Sequence, residues 1–388
     1  MFKKRNKFLV FGKPYIGEEE IAEVEKTIRS GWWGTGPKTE LFENNFRKYV
    51  GSKYALAVNS ATAGLHLALK TLGVGPGDEV ITTPLTFVST ANVIVHCGSK
   101  PVFADVDKNT WNIDPKKIEE KITKKTKVIL PVHLHGRPCD MDSILKIARK
   151  HKLYVVEDAA HAIEAKYHDK KIGSIGDITV FSFYVTKNVA TGEGGMVTTD
   201  RKKVANDLQI LRLHGLSKDA WKRYSVKHFS LYEALVPGFK YNLTDIASSI
   251  GIHQLKRVER NFKIRNRIWN MYSEAFANEP LLTLPALIEK NTRHAMHLYA
   301  ILLNLEKLKI KRNDFVDKLI KLNIGSGVHF TPVHTQPFYR KAYGYKNGDF
   351  PNTEFVGERI LSLPLGANLS DTDAKDVIKT VKFVLKNC

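Results

Sequence analysis

The chain has 388 residues, 43% of them hydrophobic and 26% charged, an ordinary globular composition with length enough for a large buried core. Its formal charge of +20 rests on 44 lysines and 16 arginines, and this dispersed, arginine-poor pattern reads as solvated faces rather than a nucleic-acid footprint. Three cysteines without paired spacing, Cys97, Cys139 and Cys388, argue against a disulfide framework and fit a reducing cytoplasm.

At the N-terminus the apolar stretch Phe8–Phe11 is too short for a secretory segment. No apolar run nears the roughly 20 residues of a membrane span, so the expectation is a soluble, unprocessed chain. Elements then alternate. Tyr54–Val58 reads as a strand and Ala61–Leu72 as a helix; Glu79–Pro84 as a strand and Val88–Cys97 as a helix. Pro101–Val106, Lys127–Leu134, Leu153–Glu157, Asp177–Phe183 and Gly195–Thr199 read as further strands, with helices at Met141–His151 and Lys202–Leu213. This alternation predicts an α/β fold with a sheet covered on both faces. Beyond Lys256 the texture changes to a long helix (Val258–Ala277), a strand (His294–Leu303), a helix (Arg312–Leu322), a strand (Gly327–Phe330) and a last helix (Asp371–Lys386). The expected organisation is a large α/β domain over residues 1–255 and a smaller C-terminal α+β domain over 256–388.

In parallel α/β sheets, ligands collect beyond the carboxyl ends of the strands, and four strand ends here carry chemistry. After Val58, Asn59-Ser60-Ala61-Thr62-Ala63-Gly64 opens a helix with a capping serine and small residues, an anion site suited to phosphate. After the second strand comes Phe87, an aromatic plate for a planar ring. After Leu153–Glu157 comes Asp158, a carboxylate that is costly to bury unless a cation faces it, and then His161. After Asp177–Phe183 come Lys187, able to lose its proton in a weakly charged neighbourhood, and the turn Thr191-Gly192-Glu193-Gly194-Gly195. Each has a plainer reading alone: a capped helix, a core phenylalanine, a salt bridge, a surface lysine. Jointly and in this order they match the needs of pyridoxal 5′-phosphate (PLP): a phosphate anchor, a ring stack, a partner for the ring nitrogen and an amine.

These residues resemble the DegT/DnrJ/StrS sugar aminotransferases, which have the PLP-dependent fold type I of aspartate aminotransferase. The resemblance runs along nearly the whole chain. It includes GWWGTGPKTELFE (31–43), NSATAGLHLAL (59–69), GDEVITTPLTFVSTAN (77–92), VEDAAHA (156–162), SFYVTKNVATGEGG (182–195) and GSGVHFTPVHTQ (325–336). KYNLTDI (240–246), HTQ (334–336) and PNTEF (351–355) look most like the UDP-4-amino-4-deoxy-L-arabinose–oxoglutarate aminotransferases. Tyr184 stands where the family usually has histidine, and HLHG (133–136) lacks the usual tyrosine; both bear on which sugar is used.

The resemblance implies that Lys187 holds PLP covalently and that Asp158 pairs with its ring nitrogen. Phe87 stacks on the ring, His161 lies near its 3-hydroxyl, and Ser60, Ala61, Thr62 and Ser182 hold the phosphate. Asn242 reaches the phosphate from a second subunit, making a homodimer the working unit. Trp33, His329 and His334 are candidates for substrate contact or for packing. The implied reaction carries an amino group from glutamate, leaving 2-oxoglutarate, to a keto-sugar nucleotide for cell-surface polysaccharide or lipid A-type sugars. A catalytically silent regulatory or sensor protein on the same fold is the alternative. A dinucleotide oxidoreductase is disfavoured because Gly34-Thr35-Gly36 follows no strand and lacks a third glycine. A metal site at His133, His135 and His161 has no matching ligand signature, and none is expected.

Overall fold

Val- and Ile-rich runs of four or five residues build a sheet wherever neither face meets water. In the computed structural model, which describes residues 2–217 and 232–388, seven such runs form one sheet. They are β1 (Tyr54–Val58), β2 (Glu79–Thr82), β3 (Lys100–Phe103), β4 (Thr126–Leu130), β5 (Tyr154–Asp158), β8 (Ile178–Ser182) and β9 (Gly195–Thr199), with a small hairpin of β6 (Lys166–Tyr167) and β7 (Lys170–Lys171) between the fifth and sixth. The spatial order is β1-β9-β8-β5-β4-β2-β3. Only β9 runs against its neighbours; the other strands share one direction, so their carboxyl ends meet at one edge.

Helices α1 (Glu18–Arg29), α2 (Pro37–Val50), α3 (Ala61–Thr71), α4 (Ser89–His96), α5 (Pro115–Glu120), α6 (Met141–His151) and α7 (Lys202–Leu211) belong to this part. Ser60 caps α3 by accepting from the Ala63 N–H at 3.1 Å. The run Ala63–Leu69 is buried without a break, and each large side chain in it contributes about 1.5–3 kcal/mol. Gly64 is required by closeness: a Cβ there would lie 2.7 Å from Val180 Cγ1 of β8. On the other side, Phe42 and Phe46 of α2 pack edge-on or tilted against Phe181 and Phe183.

α8 (Asp245–Phe276) runs unbroken through residues 255 and 256, so the expected division falls inside one helix. Its first half packs on α1 and α2. Its second half gives Trp269, Tyr272 and Phe276 to another core, shared with β11 (Tyr299–Leu303), β12 (Ile360–Leu363), α9 (Arg312–Lys321) and α12 (Asp371–Lys386). β10 (Leu282–Thr283), β11 and β12 form an antiparallel sheet, and α10 (Pro337–Tyr343) and α11 (Pro351–Arg359) complete the C-terminal region. Leu9 bridges to Ile324, tying the N-terminal segment to this same region.

The expected strands Glu79–Pro84, Pro101–Val106 and Lys127–Leu134 end early, at Thr82, Phe103 and Leu130, and two others differ more. Gly327–Phe330 makes a single bridge, Gly327 to Ser362, and Ile360–Leu363 takes the place beside β11 instead. The expected strand His294–Leu303 begins only at Tyr299, because Met296 adopts φ +49 and its N–H is capped by His294 Nδ1 at 2.8 Å. That left-handed turn directs His297 away from the sheet pattern.

Candidate active site

The carboxyl ends of β1, β5 and β8 and the start of β9 surround a cavity of about 550 Å³. Its walls include Ser60, Ala61, Thr62, Phe87, Asp158, His161, Ser182 and Lys187. Ser60 and Lys187, 127 positions apart in sequence, thus meet in one space, because the strands that carry them share a direction.

At one end the first turn of α3 points its free N–H groups inward. Gly195 lies opposite Val58 in the β1–β9 register, and a Cβ on it would sit 2.8 Å from Ala61 N. The glycine keeps the helix terminus open. Ser182 Oγ, accepting from the Tyr184 N–H at 3.3 Å, stands beside it. At the other end is Asp158. Its Oδ2 accepts from Thr90 Oγ1 at 2.8 Å and its Oδ1 from the Ala160 N–H at 3.1 Å. Burial pushes this carboxyl above its ordinary range, and those two hydrogen bonds and the Lys187 charge oppose the push. Thr90 is itself backed by Thr86, with the two hydroxyl oxygens 2.9 Å apart.

Lys187 leaves β8 through a turn in which its N–H donates to Tyr184 O at 2.8 Å. Burial brings its ammonium down to about 8, against the pull of Asp158. About a tenth of the amine is therefore neutral at pH 7, far more than for an ordinary lysine. His161, His297 and His329 line the cavity with it, and His135 lies against His161. Burial pushes His161 well below the ordinary range, aided by the Lys187 charge; His135 falls to about 4 and His329 to about 3 for the same first cause. The His135 N–H donates to His161 Nδ1 at 3.2 Å, which leaves the His161 proton on Nε2. The His161 ring also stacks on Phe330, centroids 5.9 Å apart at 19°. Phe87 is 57% exposed, with one face open to the cavity mouth.

The remaining candidates fall differently. His329 lines the cavity, with Nδ1 3.0 Å from Ser362 Oγ and its ring stacked on Phe11. His334 does not: it is fully buried, with Nε2 3.0 Å from Glu354 Oε1 and its ring edge-on to Phe350. Trp33 is 55% exposed and donates from Nε1 to Ile28 O, outside the cavity of its own chain. Asn242 also lies outside that cavity, in a separate groove of about 460 Å³ with Thr35 and Arg212. Its Nδ2 donates to Thr35 Oγ1 at 2.6 Å, and its Oδ1 is buried without a partner among the described residues. His133 turns away from His161, holding Glu157 at 2.9 Å. Among the described residues no group of three or more His, Cys, Asp or Glu is arranged to hold a metal ion.

The donor set fits PLP. The open helix terminus and Ser182 suit a phosphate, the buried Asp158 carboxylate is short of a cationic partner, and Lys187 supplies an amine with a lowered pKa. The family model for the DegT/DnrJ/EryC1/StrS aminotransferases matches residues 14–382.

The chain belongs to this family. It is 51% identical to the spore coat polysaccharide biosynthesis protein SpsC of Bacillus subtilis over 387 residues, covering 100% of this chain and 99% of that one. Among solved structures it is similar to the PLP form of Spr1654 from Streptococcus pneumoniae, at 34% identity and a TM-score of 0.90, covering 98% and 99% of the two chains. It is also similar to PseC of Helicobacter pylori, an aminotransferase of pseudoaminic acid biosynthesis, at 28% identity and a TM-score of 0.91, covering 98% and 100%. This sugar aminotransferase is thus a PLP-dependent enzyme of fold type I. No helix among the described residues is long and apolar enough to cross a membrane.

Thr90, Phe330 and His297 were not singled out by sequence. Thr86 and Thr90 stand four apart, a helical spacing visible in the chain, but α4 begins only at Ser89 and Asp158 is 68 residues from Thr90.

Proposed function

We propose that this enzyme transfers an amino group from glutamate to a UDP-4-keto sugar, in the cytoplasm, for a cell-surface polysaccharide or lipid A-type sugar. The observation that carries the amino-transfer reading is the Lys187 amine, lowered to about 8, in the same enclosed space as the buried Asp158 carboxyl and the open N-terminus of α3. The spore coat relative supports a polysaccharide role.

Bound PLP supplies an electron sink conjugated to the carbon that bears the amine. Ser60, Ala61, Thr62 and Ser182 anchor the phosphate through hydroxyls and first-turn N–H groups. Asp158, held by Thr90 and Ala160, would pair with the ring nitrogen and favour its protonated form. Phe87 would stack on the ring. His161, with its proton on Nε2, would donate to the 3-oxygen. Lys187 Nζ would hold the cofactor covalently and, when free, would serve as general base and then general acid for the proton that moves between the donor carbon and the cofactor. An amine near its own pKa does both. The second half-reaction uses the same groups in reverse on the keto sugar.

The orphaned Asn242 Oδ1 and the exposed Trp33 lie outside the cavity of their own chain. In our reading the enzyme is a homodimer and Asn242 completes the phosphate site of the second copy. The deciding experiment offers the purified enzyme glutamate with a panel of 3-keto and 4-keto UDP- and dTDP-sugars and reads the aminated product by mass. Amination of the UDP-4-keto sugars ahead of the others is expected; no amination of any member overturns the reading.

A further inference from the structure

The His297 ring is part of the cavity wall, 4.5 Å between centroids from His161, and is almost wholly buried. A line of polar groups, with Arg265 and Glu164 buried and Asn188 half-buried, fixes it from behind. Arg265 of α8 pairs with Glu164 and donates from Nε to Met296 O at 3.2 Å, bracing the turn that carries His297. Glu164 Oε2 accepts from Asn188 Nδ2 at 2.8 Å, and the same nitrogen reaches Ala295 O at 3.3 Å. A backbone carbonyl only accepts, so the Asn188 amide must turn its NH2 that way and its Oδ1 toward His297. That oxygen lies 2.9 Å from His297 Nδ1 and also only accepts. The ring proton is thus on Nδ1 and the lone pair on Nε2. Burial and the Lys187 charge keep the imidazole neutral. His161, one ring away, has the opposite tautomer, because its Nδ1 is the acceptor.

We propose that His297 Nε2 is a preset hydrogen-bond acceptor for a hydroxyl of the sugar substrate, with Asn188 and Glu164 as the positioning residues that preset it. The inference rests on the sugar-aminating function above and names one of its contacts. The occupant follows from the sign of the group. A lone pair repels a carboxylate and offers nothing to a carbonyl oxygen, so it serves neither the donor's carboxylates nor the keto group. A hydroxyl can donate to it, and a deoxy or O-methyl sugar at that position cannot. The two neighbouring imidazoles then read opposite partners: His161 donates and His297 accepts.

Two measurements test this. In the holoenzyme labelled with 15N-histidine, the signal missing from His297→Phe belongs to His297. It should show a protonated Nδ1 and a bare Nε2, and Asn188→Ala should convert it to a tautomer mixture. A protonated Nε2 in the wild-type enzyme overturns the relay, as does an unchanged signal in Asn188→Ala. In kinetics, His297→Phe keeps a ring and removes the lone pair. The half-saturating concentration of keto sugar should rise about tenfold, the scale of one buried hydrogen bond, a larger factor than the loss in the glutamate half-reaction followed by the change in cofactor absorbance. Equal losses in both half-reactions, or no loss in the sugar half, remove the sugar hydroxyl as the occupant. Failure of the wild-type enzyme to aminate any sugar would defeat the functional reading and its occupant together, whereas the tautomer is read independently of turnover.

Discussion

Glu157 and Asp158 are consecutive residues at the end of β5, both buried, and their side chains leave the strand on opposite faces. The Glu157 carboxylate is closed on every side. Oε1 accepts from the Gly176 N–H and Thr179 Oγ1, each at 2.7 Å, and Oε2 meets His133 Nε2 at 2.9 Å. His133 Nδ1 in turn accepts from the Cys139 N–H, which puts the ring proton on the nitrogen facing Glu157. Among the described residues Asp158 receives only Thr90 and Ala160, and what remains of it opens on the cavity. The difference separates a carboxylate satisfied by its own fold from one left short of a partner. The first holds strands together; the second is poised for a ligand cation.

The sharpest test of the cavity side is Lys187→Ala. It should lower turnover by at least about 10²–10⁴-fold, the range of a lost general acid–base group, and abolish the visible absorbance of the lysine-bound cofactor. Retention of that absorbance would remove Lys187 from the site. Asp158→Asn comes next: the protein should still bind some PLP, yet lose turnover on the order of 10²-fold, because a neutral amide cannot hold a proton on the ring nitrogen. Near-wild-type turnover would break the contrast with Glu157.

Glu157→Gln should do the reverse. A glutamine NH2 would face the His133 N–H, donor against donor, at a cost of about 1–3 kcal/mol in urea unfolding, while turnover of the folded enzyme stays within about threefold. A large loss of turnover at unchanged stability would place Glu157 with the catalytic groups.

A smaller effect concerns pH. The folded Lys187 amine titrates at about 8 against an ordinary 10.5. Between those values the unfolded chain binds the extra proton, so the stability of the cofactor-free protein should rise with pH across that window. Urea midpoints for the wild type and Lys187→Met should converge as pH rises above 10.5 and differ most below 8, with the variant the more stable there. Identical midpoints at all pH values would contradict a buried amine. Smallest of all, His334→Gln should cost about 1 kcal/mol through its Glu354 contact and leave the sugar half-saturation unchanged.

Much of the scaffold was legible. Gly195–Thr199, Met141–His151 and Asp371–Lys386 form with the expected bounds, because short β-branched runs and clean amphipathic periods leave little choice. α1, α2, α5, α10 and α11 went unread, although Pro37 opens α2 and Gly51, at φ +79, closes it. The strand expected across His294–Leu303 failed at Met296, where a side-chain cap on one N–H outweighed the strand pattern. That turn is what brings His297 to the cavity, so the same missed element concealed a site residue.

By itself the sequence determined which residues stand at the ends of the strands: Ser60, Phe87, Asp158 and Lys187 each follow a run whose pattern is local. Local pattern also fixes that neighbouring side chains on a strand part to opposite faces. It does not fix what waits on either face. Gly176, Thr179 and His133 close around Glu157, Asn188 sets the proton on His297, and Asn242 is kept out of its own chain's cavity, all through contacts between distant segments. Hydrogen-bond satisfaction is a property of packed neighbours, and only the tertiary structure supplies them.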